Sequence, residues 1–273
     1  MSNLQNNAAC EERGGVVGFP GGSAFFVRPF ACRGSDLGID FGRDEPSLIT
    51  ELLGSCLMDR GGRSPTPETL WDLTLGKRIE ALLAILFITR GGDLECRHPC
   101  RQCGEDMEVV LANEALAELQ RESDAAEFIE ISIGNCEIVL RKPTGRDQRG
   151  WMTESWPDEH AAVLGMIGTL VSGNEAWTPE SGQVETIAEK MAGADPLVHF
   201  RITASCPECS AENNWEADLT AMALQGLLRA RLILIRTVHR LAGYYHWTEE
   251  SILDMPASRR AEYLALVEKE LDR

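Results

Sequence analysis

Apolar side chains recur every three to four residues in several stretches of the chain, and that spacing places them on one face of a helix. In one stretch Thr66 is a candidate N-cap, Pro67 takes the first helical position, and the pattern ends at Gly91. The spacing predicts helices over Ser47–Met58, Pro67–Thr89, Asn113–Arg121, Ala161–Val171, Val184–Met191 and Asp218–Tyr245, followed by a short helix with Thr248 as its N-cap and a last helix that Pro256 opens.

Short strands are predicted between these helices. Phe128–Ile133 and Cys136–Leu140 flank Gly134-Asn135, a pair that accepts the positive φ of a tight hairpin turn. Further strands are predicted at Met107–Leu111 and around Val198–Ala204, where apolar residues alternate with polar ones. The pattern as a whole predicts an α+β protein that is mainly α.

The first 45 residues are rich in glycine and lack periodicity. Gly14–Ser23 is therefore predicted to be a flexible loop or an arm that a partner orders, and it matches neither GxGxxG nor a Walker A loop. Four segments are predicted: this arm at 1–45, a helical region at 46–126, an inserted hairpin with helices at 127–197, and a C-terminal helical unit within 198–273.

Two CxxC turns are the main candidate for chemistry. Cys100-x-x-Cys103 and Cys206-x-x-Cys209 each follow or enter a predicted strand. Two such turns facing each other supply four thiolates in a tetrahedron, which is a closed structural zinc site. About 100 residues separate the turns, whereas a compact zinc ribbon separates them by about 15–20. The prediction is a zinc ribbon formed by two distant knuckles, with the hairpin and helices inserted between them.

Other interpretations of these cysteines stay open. A thioredoxin-like redox pair requires a βαβ setting, which the pattern does not indicate, and a zinc deaminase requires an upstream H-x-E, which the sequence lacks. Unpaired thiols are the third interpretation. Cys96 and His98 lie beside the first knuckle and are possible substitute ligands. Isolated thiols remain at Cys10, Cys32, Cys56 and Cys136.

Charge narrows the possible partners. The chain has 26 Lys and Arg against 43 Asp and Glu, a net charge of −17. Such a chain is a poor binder of nucleic acid or anionic membranes, which attract cationic surfaces.

No secretory signal is recognised, and the longest apolar run, Ala81–Ile88, is too short to span a bilayer. We therefore expect a protein of a reducing cytosol, where nine cysteines do not form disulfides.

The C-terminal third carries the most specific pattern in the chain. Its elements, in order, are Asp195-Pro196, Cys206, Cys209, Trp215, Val238-His239, Tyr245-His246-Trp247, Thr248-Glu249, Ile252-Leu253, Pro256, Arg259-Arg260 and Tyr263-Leu264. This order resembles a family of phage baseplate and tail-assembly proteins, with relatives in tailed phages and phage-like contractile injection systems. The resemblance covers about the last 80 residues; residues 70–86 and the first knuckle fit more loosely. Family members often have glycine after the second knuckle, where this chain has Ser210.

The resemblance implies a non-enzymatic role in building a contractile-tail baseplate in the bacterial cytoplasm, either as a component retained in the particle or as a transient assembly chaperone. The implied partners are protein subunits of a baseplate, hub or spike, with no nucleic acid, membrane insertion or small-molecule substrate. Candidate partner-binding residues are Tyr245, Trp247, Arg259, Arg260 and Tyr263, which packing within the helical unit would also explain.

Two other functions are consistent with the cysteines. One is a zinc-ribbon adaptor in another bacterial complex; in transcription this would favour a basic ribbon face, whereas acidic residues crowd both knuckles. The other is a zinc-dependent enzyme, but the sequence contains no HExxH, GxSxG or P-loop motif.

Overall fold

The structure is a computed structural model that describes residues 15–19, 22–133, 136–173, 177 and 179–271. It is a mixed α and β protein, about 53% helical, with small antiparallel sheets. This confirms the mainly helical composition that the sequence predicts. In the part of the chain that the structure describes, no helix has both the length and the apolarity that a bilayer crossing requires.

The helices are α1 Gly34–Leu37, α2 Glu45–Cys56, α3 Pro67–Trp71, α4 Leu75–Arg90, α5 Asn113–Asp124, α6 Gly145–Thr153, α7 Glu159–Leu170, α8 Val184–Ala194, α9 Leu219–Tyr245, α10 Glu249–Leu253 and α11 Ala257–Leu271. The strands are β1 Val16–Gly18, β2 Ala24–Val27, β3 Leu57–Met58, β4 Leu94–Pro99, β5 Asp106–Leu111, β6 Phe128–Ile133, β7 Cys136–Arg141, β8 Val171–Ser172, β9 Phe200–Ser205 and β10 Glu212–Ala217.

One predicted helix is divided in two. The apolar spacing predicts a continuous helix over Pro67–Thr89, but the structure ends α3 at Trp71 and begins α4 at Leu75. The intervening backbone pairs with a distant segment: Leu75 N–H donates to Pro143 O at 2.9 Å, and Gly145 N–H donates to Leu73 O at 3.1 Å. These hydrogen bonds replace the helical ones, so the break follows from tertiary pairing that periodicity does not reveal.

The chain forms two compact units. The first comprises residues 1–66, as far as they are described, with 82–92 and 220–273; the second comprises residues 67–81 and 93–219. The four segments predicted from the sequence divide the chain differently and stay a prediction.

The first unit is built on helices. Leu234, Val238 and Leu241 of α9 form a buried cluster with Ile252 and Val267 from the two helices that follow. Another part of α9 approaches α4 so closely that a Cβ on Gly226 would lie 2.4 Å from a methyl carbon of Leu86. A side chain at this position would force Leu86 to move, because real Cβ atoms essentially never lie so close to another heavy atom.

The glycine-rich start of the first unit differs from the expected flexible loop. β1 pairs with β2 and β2 pairs with β3, which makes a three-stranded antiparallel sheet. Val17 and Val27 are each only 2% exposed. Val27 of the central strand lies opposite Leu57 of β3, which is about 30 residues further along the chain, so the local sequence could not predict this sheet. Residues 1–14 of the expected arm lie outside the described residues.

A buried ion pair lies beside this sheet. The Arg28 guanidinium donates to both carboxylate oxygens of Asp36, at 2.9 and 2.6 Å, and the two side chains are 3% and 0% exposed. Burial opposes the charge on Arg28 most strongly, but the hydrogen bonds to Asp36 and the charges of Asp36, Cys56 and Cys32 together outweigh burial and raise the pKa of the guanidinium.

The second unit contains the predicted hairpin. β6 and β7 pair antiparallel with Ile133 opposite Cys136, as the sequence predicts, and β8 extends the sheet; the turn residues 134–135 lie outside the described residues. One face of the sheet packs on helices through a buried apolar cluster of Ile129, Ile131, Ile138, Leu140, Ile167, Leu170 and Ile187.

A buried carboxylate also shapes this unit. Asp195, at the end of α8, accepts a hydrogen bond from the Gly76 N–H near the start of α4, at 3.3 Å, and is 3% exposed. Burial raises the pKa of Asp195 to about 6. A Cβ on Gly76 would lie 1.9 Å from Asp195 Oδ1 and 2.6 Å from Gln120 Oε1, so both acceptor oxygens crowd the same glycine.

Candidate metal centre

Two similar hairpins of the second unit carry the CxxC turns. β4 and β5 pair over six residues each, ending with Pro99 opposite Asp106, and β9 and β10 pair in the same way, ending with Ser205 opposite Glu212. A turn that joins two antiparallel strands differs from the helix-linked βαβ setting of thioredoxin-like redox pairs.

The backbone of each turn closes in the same pattern. In the first turn, Cys100 N–H donates to Glu105 O at 2.8 Å and Gly104 N–H donates to Cys100 O at 2.9 Å. The second turn repeats both hydrogen bonds. There, Cys206 N–H donates to Ala211 O and Ser210 N–H donates to Cys206 O, each at 2.9 Å. The two knuckles are therefore local copies of one another, although more than 100 residues separate them.

The residue after each second cysteine lies in the left-handed backbone region. Gly104 has a φ of 77° and Ser210 a φ of 58°. Glycine adopts this region freely, whereas a residue with a Cβ does so at a cost of about 1–2 kcal/mol. The left-handed backbone explains why glycine is favoured after the second cysteine of such a turn. Ser210 adopts the same conformation under strain.

The four thiols converge as the sequence predicts. Cys100 Sγ lies 3.7 Å from Cys209 Sγ, and Cys103 Sγ lies 3.6 Å from Cys206 Sγ. All four sulfurs lie within 4.8 Å of one another. For a Zn–S bond of about 2.3 Å, the edge of a regular tetrahedron of sulfurs is about 3.8 Å. The spacing therefore fits four thiolates around one metal ion. It is also well beyond the length of a disulfide bond, about 2.05 Å.

The thiols differ in exposure and in acidity. Cys100 and Cys206 are buried, Cys209 is half-buried and Cys103 is exposed. Hydrogen bonds from the backbone amides of Cys103 and Gln102 lower the pKa of Cys100 to about 6. The Glu105 amide also favours the Cys103 thiolate, but burial and the neighbouring sulfurs outweigh it and raise the pKa of Cys103 to about 12. The surroundings thus favour the Cys100 thiolate and oppose ionisation of the Cys103 thiol. A bound divalent cation would remove this opposition, because its charge stabilises thiolates.

Asn213 joins the two knuckles and was not identified from the sequence. It lies in β10, is 2% exposed, and its Oδ1 accepts a hydrogen bond from Arg101 N–H at 2.9 Å. Its Nδ2 donates to Ala211 O at 2.9 Å and lies 3.5 Å from Cys100 Sγ. This side chain therefore holds the first turn against the second and supports one sulfur. A single asparagine in a strand has no spacing pattern, so only the structure identifies it.

The structure places the two possible substitute ligands outside the cluster of four thiols. Cys96 is buried in β4, and burial raises the pKa of its thiol. The His98 ring stacks on Trp215, with ring centres 4.6 Å apart and planes 5° apart. His98 is therefore a packing contact between the hairpins. Cys32 and Cys56 also lie apart from the cluster, while Cys10 and the Cys136 side chain lie outside the described residues.

The candidate partner-binding residues gather at the end of α9. Tyr245 stacks on Trp247 at 4.5 Å between ring centres, and Tyr263 meets Trp247 edge-on at 5.0 Å. All three rings pack against the buried cluster of Leu234, Val238 and Leu241. They therefore serve the packing of the helical unit, and a partner-binding role for them stays a prediction.

The two arginines of this motif differ. Arg259 is exposed and lies over the Tyr263 ring at 5.9 Å. Arg260 is 5% exposed, and its guanidinium donates to the carbonyl oxygens of Leu253 and Met255, at 3.1 and 2.6 Å. These carbonyls lie at the end of α10, so Arg260 stabilises that helix end. It is not a solvated residue available to a partner.

Comparison of the chain with protein-family models, with curated proteins and with solved structures finds no match.

Proposed function

We propose that this protein is a non-enzymatic component or assembly factor of a phage-like contractile-tail baseplate, with one structural zinc ion held by Cys100, Cys103, Cys206 and Cys209. The observation that carries the zinc proposal is the cluster of four sulfurs from two matching hairpin turns. Four protein thiolates leave no open coordination position, so the metal would stabilise the fold and would not bind a substrate.

The zinc ion would fix the two hairpins to one another. Two-stranded hairpins are only marginally stable alone, whereas zinc binding contributes about 10–16 kcal/mol in small peptides. The acidic residues around the knuckles, including Glu105, Glu208 and Glu212, are exposed. They disfavour nucleic acid as the partner of this surface and are consistent with a protein partner.

The baseplate role follows from the C-terminal motif, whose aromatic residues pack together in the first unit. A unit with a defined core can present its outer helix faces to other subunits. Under this proposal the first unit contacts baseplate, hub or spike subunits, and the zinc-bearing hairpins stabilise the second unit.

Metal analysis tests the zinc proposal. Protein purified under reducing conditions should contain about one zinc per chain, and Cys206→Ser should lose the metal and lower the melting temperature. Cys96→Ser is the matched control, because the same change outside the cluster should leave the zinc content unchanged. Freshly purified, reduced protein without zinc would contradict the proposal.

Particle assembly tests the baseplate role. Host cells that lack the gene should yield no complete contractile tails by electron microscopy, and the wild-type gene should restore them. Mass spectrometry of purified particles then separates a retained component from a transient chaperone. Normal tails in the deletion strain would contradict the role and would favour an adaptor in another complex.

A further inference from the structure

One helix face of the first unit contrasts in charge with the rest of the chain. α9 contains four arginines and no Asp or Glu over its 27 residues, in a chain of net charge −17. Two of those arginines are engaged within the unit: Arg231 donates to Leu37 O at 2.9 Å, and Arg240 pairs with Glu268. Among the described residues, Arg229 and Arg236 have no ion-pair partner, and both are exposed.

Apolar side chains lie between these two arginines. Leu232 is 42% exposed and Ile233 is 55% exposed. Residues at i, i+3, i+4 and i+7 share one helix face, so Arg229, Leu232, Ile233 and Arg236 form a single stripe. The opposite face of α9 is buried through Leu234, Val238 and Leu241. The four residues of the stripe therefore lie outside the buried cluster that packs α9 onto the helices that follow it.

We propose that this stripe, Arg229–Leu232–Ile233–Arg236, is a docking surface for an acidic amphipathic helix of a different protein. The two guanidiniums lie seven residues apart, about 10 Å along the helix axis. Two carboxylates one heptad apart on a partner helix could pair with these two guanidiniums. Apolar residues between those carboxylates could then pack on Leu232 and Ile233. The charge complementarity supports an acidic protein partner.

Two other occupants fit less well. Nucleic acid offers phosphates to arginine but no apolar surface to Leu232 and Ile233, and the net negative charge of the chain opposes its approach. A second copy of this chain would bring acidic surface, but it would also bring its own cationic stripe, so a symmetric contact would place like charges together. The inference rests on the proposed assembly role only in expecting that a partner protein exists.

Photo-crosslinking of the full-length protein in its host tests this surface. With Ile233→p-benzoylphenylalanine, a crosslink is expected to another protein at a helical segment bearing acidic residues. The double variant Arg229→Glu with Arg236→Glu should reduce the crosslink about tenfold or more, and changing the partner's acidic residues to lysine should restore it. Val110→p-benzoylphenylalanine, which replaces an exposed strand residue of the second unit, should not give the same crosslink.

The outcomes separate the two proposals. A crosslink to a second copy, a crosslink to nucleic acid, or no crosslink overturns the docking surface, as does an unchanged crosslink in a double variant that retains its melting temperature. A crosslink to an acidic helix of a protein unrelated to tails supports the docking surface but contradicts the baseplate role. Particle assembly in the gene-deletion strain tests that role independently.

Discussion

The two knuckles provide an internal test of how backbone conformation contributes to stability, because they share one turn but differ at one residue. Ser210 has a φ of 58° where the matching Gly104 has 77°. A residue with a Cβ pays about 1–2 kcal/mol for this conformation. Replacing it by glycine removes that strain but adds about 0.5–1 kcal/mol of unfolded-state entropy. Ser210→Gly should therefore stabilise the protein by about 0.5–1 kcal/mol.

The reverse change should have the opposite effect. A Cβ on Gly104 meets nothing within 4 Å, so Gly104→Ala adds no steric clash and its cost is conformational. We expect a loss of about 0.5–1 kcal/mol. Gly193 is the matched control, since its Cβ would also meet nothing within 4 Å and it lies inside α8. Gly193→Ala should instead stabilise by about 0.5–1 kcal/mol, because alanine favours helix.

Thermal unfolding of the zinc-loaded protein measures all three changes. Each kcal/mol corresponds to about 2–4 °C in a protein of this size, so the expected shifts are about 1–4 °C. If Gly104→Ala raises the melting temperature as Gly193→Ala does, the left-handed conformation is not what these turns require. A lower melting temperature for Ser210→Gly would equally refute strain at that residue.

Three other substitutions test the polar interior. Because burial raises the pKa of Asp195 from 3.8 to about 6, the folded state binds this proton more tightly than the unfolded state. Its contribution to stability is greatest below pH 3.8 and falls as the pH rises to 6, by about 3 kcal/mol in all. Asp195→Asn should therefore stabilise the protein at pH 8 but not at pH 3.5 in urea unfolding, and equal effects at both pH values would contradict this. Asp36→Ala leaves the Arg28 charge buried without its carboxylate and should cost about 3–5 kcal/mol in the same assay; a loss below 1 kcal/mol would show that the pair is not needed. Asn213→Ala removes the link between the knuckles and should speed zinc release to a chelator, measured with a colorimetric zinc indicator, while an unchanged rate would refute that role.

The sequence predicts those parts of the fold that have a local signature. The hairpin of β6 and β7 was predictable because alternating residues flank a turn pair with the required φ. Thr248 was predictable as a helix cap, and its side chain does accept a hydrogen bond from Ser251 N–H at 3.2 Å. In both cases, the residues that determine the local structure are close to one another in the sequence.

Features that depend on distant residues were missed. The break before Leu75 depends on pairing with residues 143–145, and the sheet of β1 to β3 depends on a distant strand, Leu57–Met58, which pairs with β2. The convergence of the four cysteines was predictable from the metal-binding chemistry of two CxxC turns. The role of Asn213 in that cluster was not, since its partners in the first knuckle lie more than 100 residues away.

The arrangement of the centre also indicates where the proposed zinc would matter most. The isoleucine-rich core of the β6–β8 sheet is buried through its own side chains, and it needs no metal to exclude water. Among the described residues, the two CxxC hairpins contact each other through the His98–Trp215 stack, the hydrogen bonds of Asn213 and the four sulfurs. The stack and one hydrogen bond each contribute about 1 kcal/mol, far less than zinc binding to four thiolates. The metal would therefore stabilise the junction of the hairpins selectively, and the surrounding core would depend on it much less.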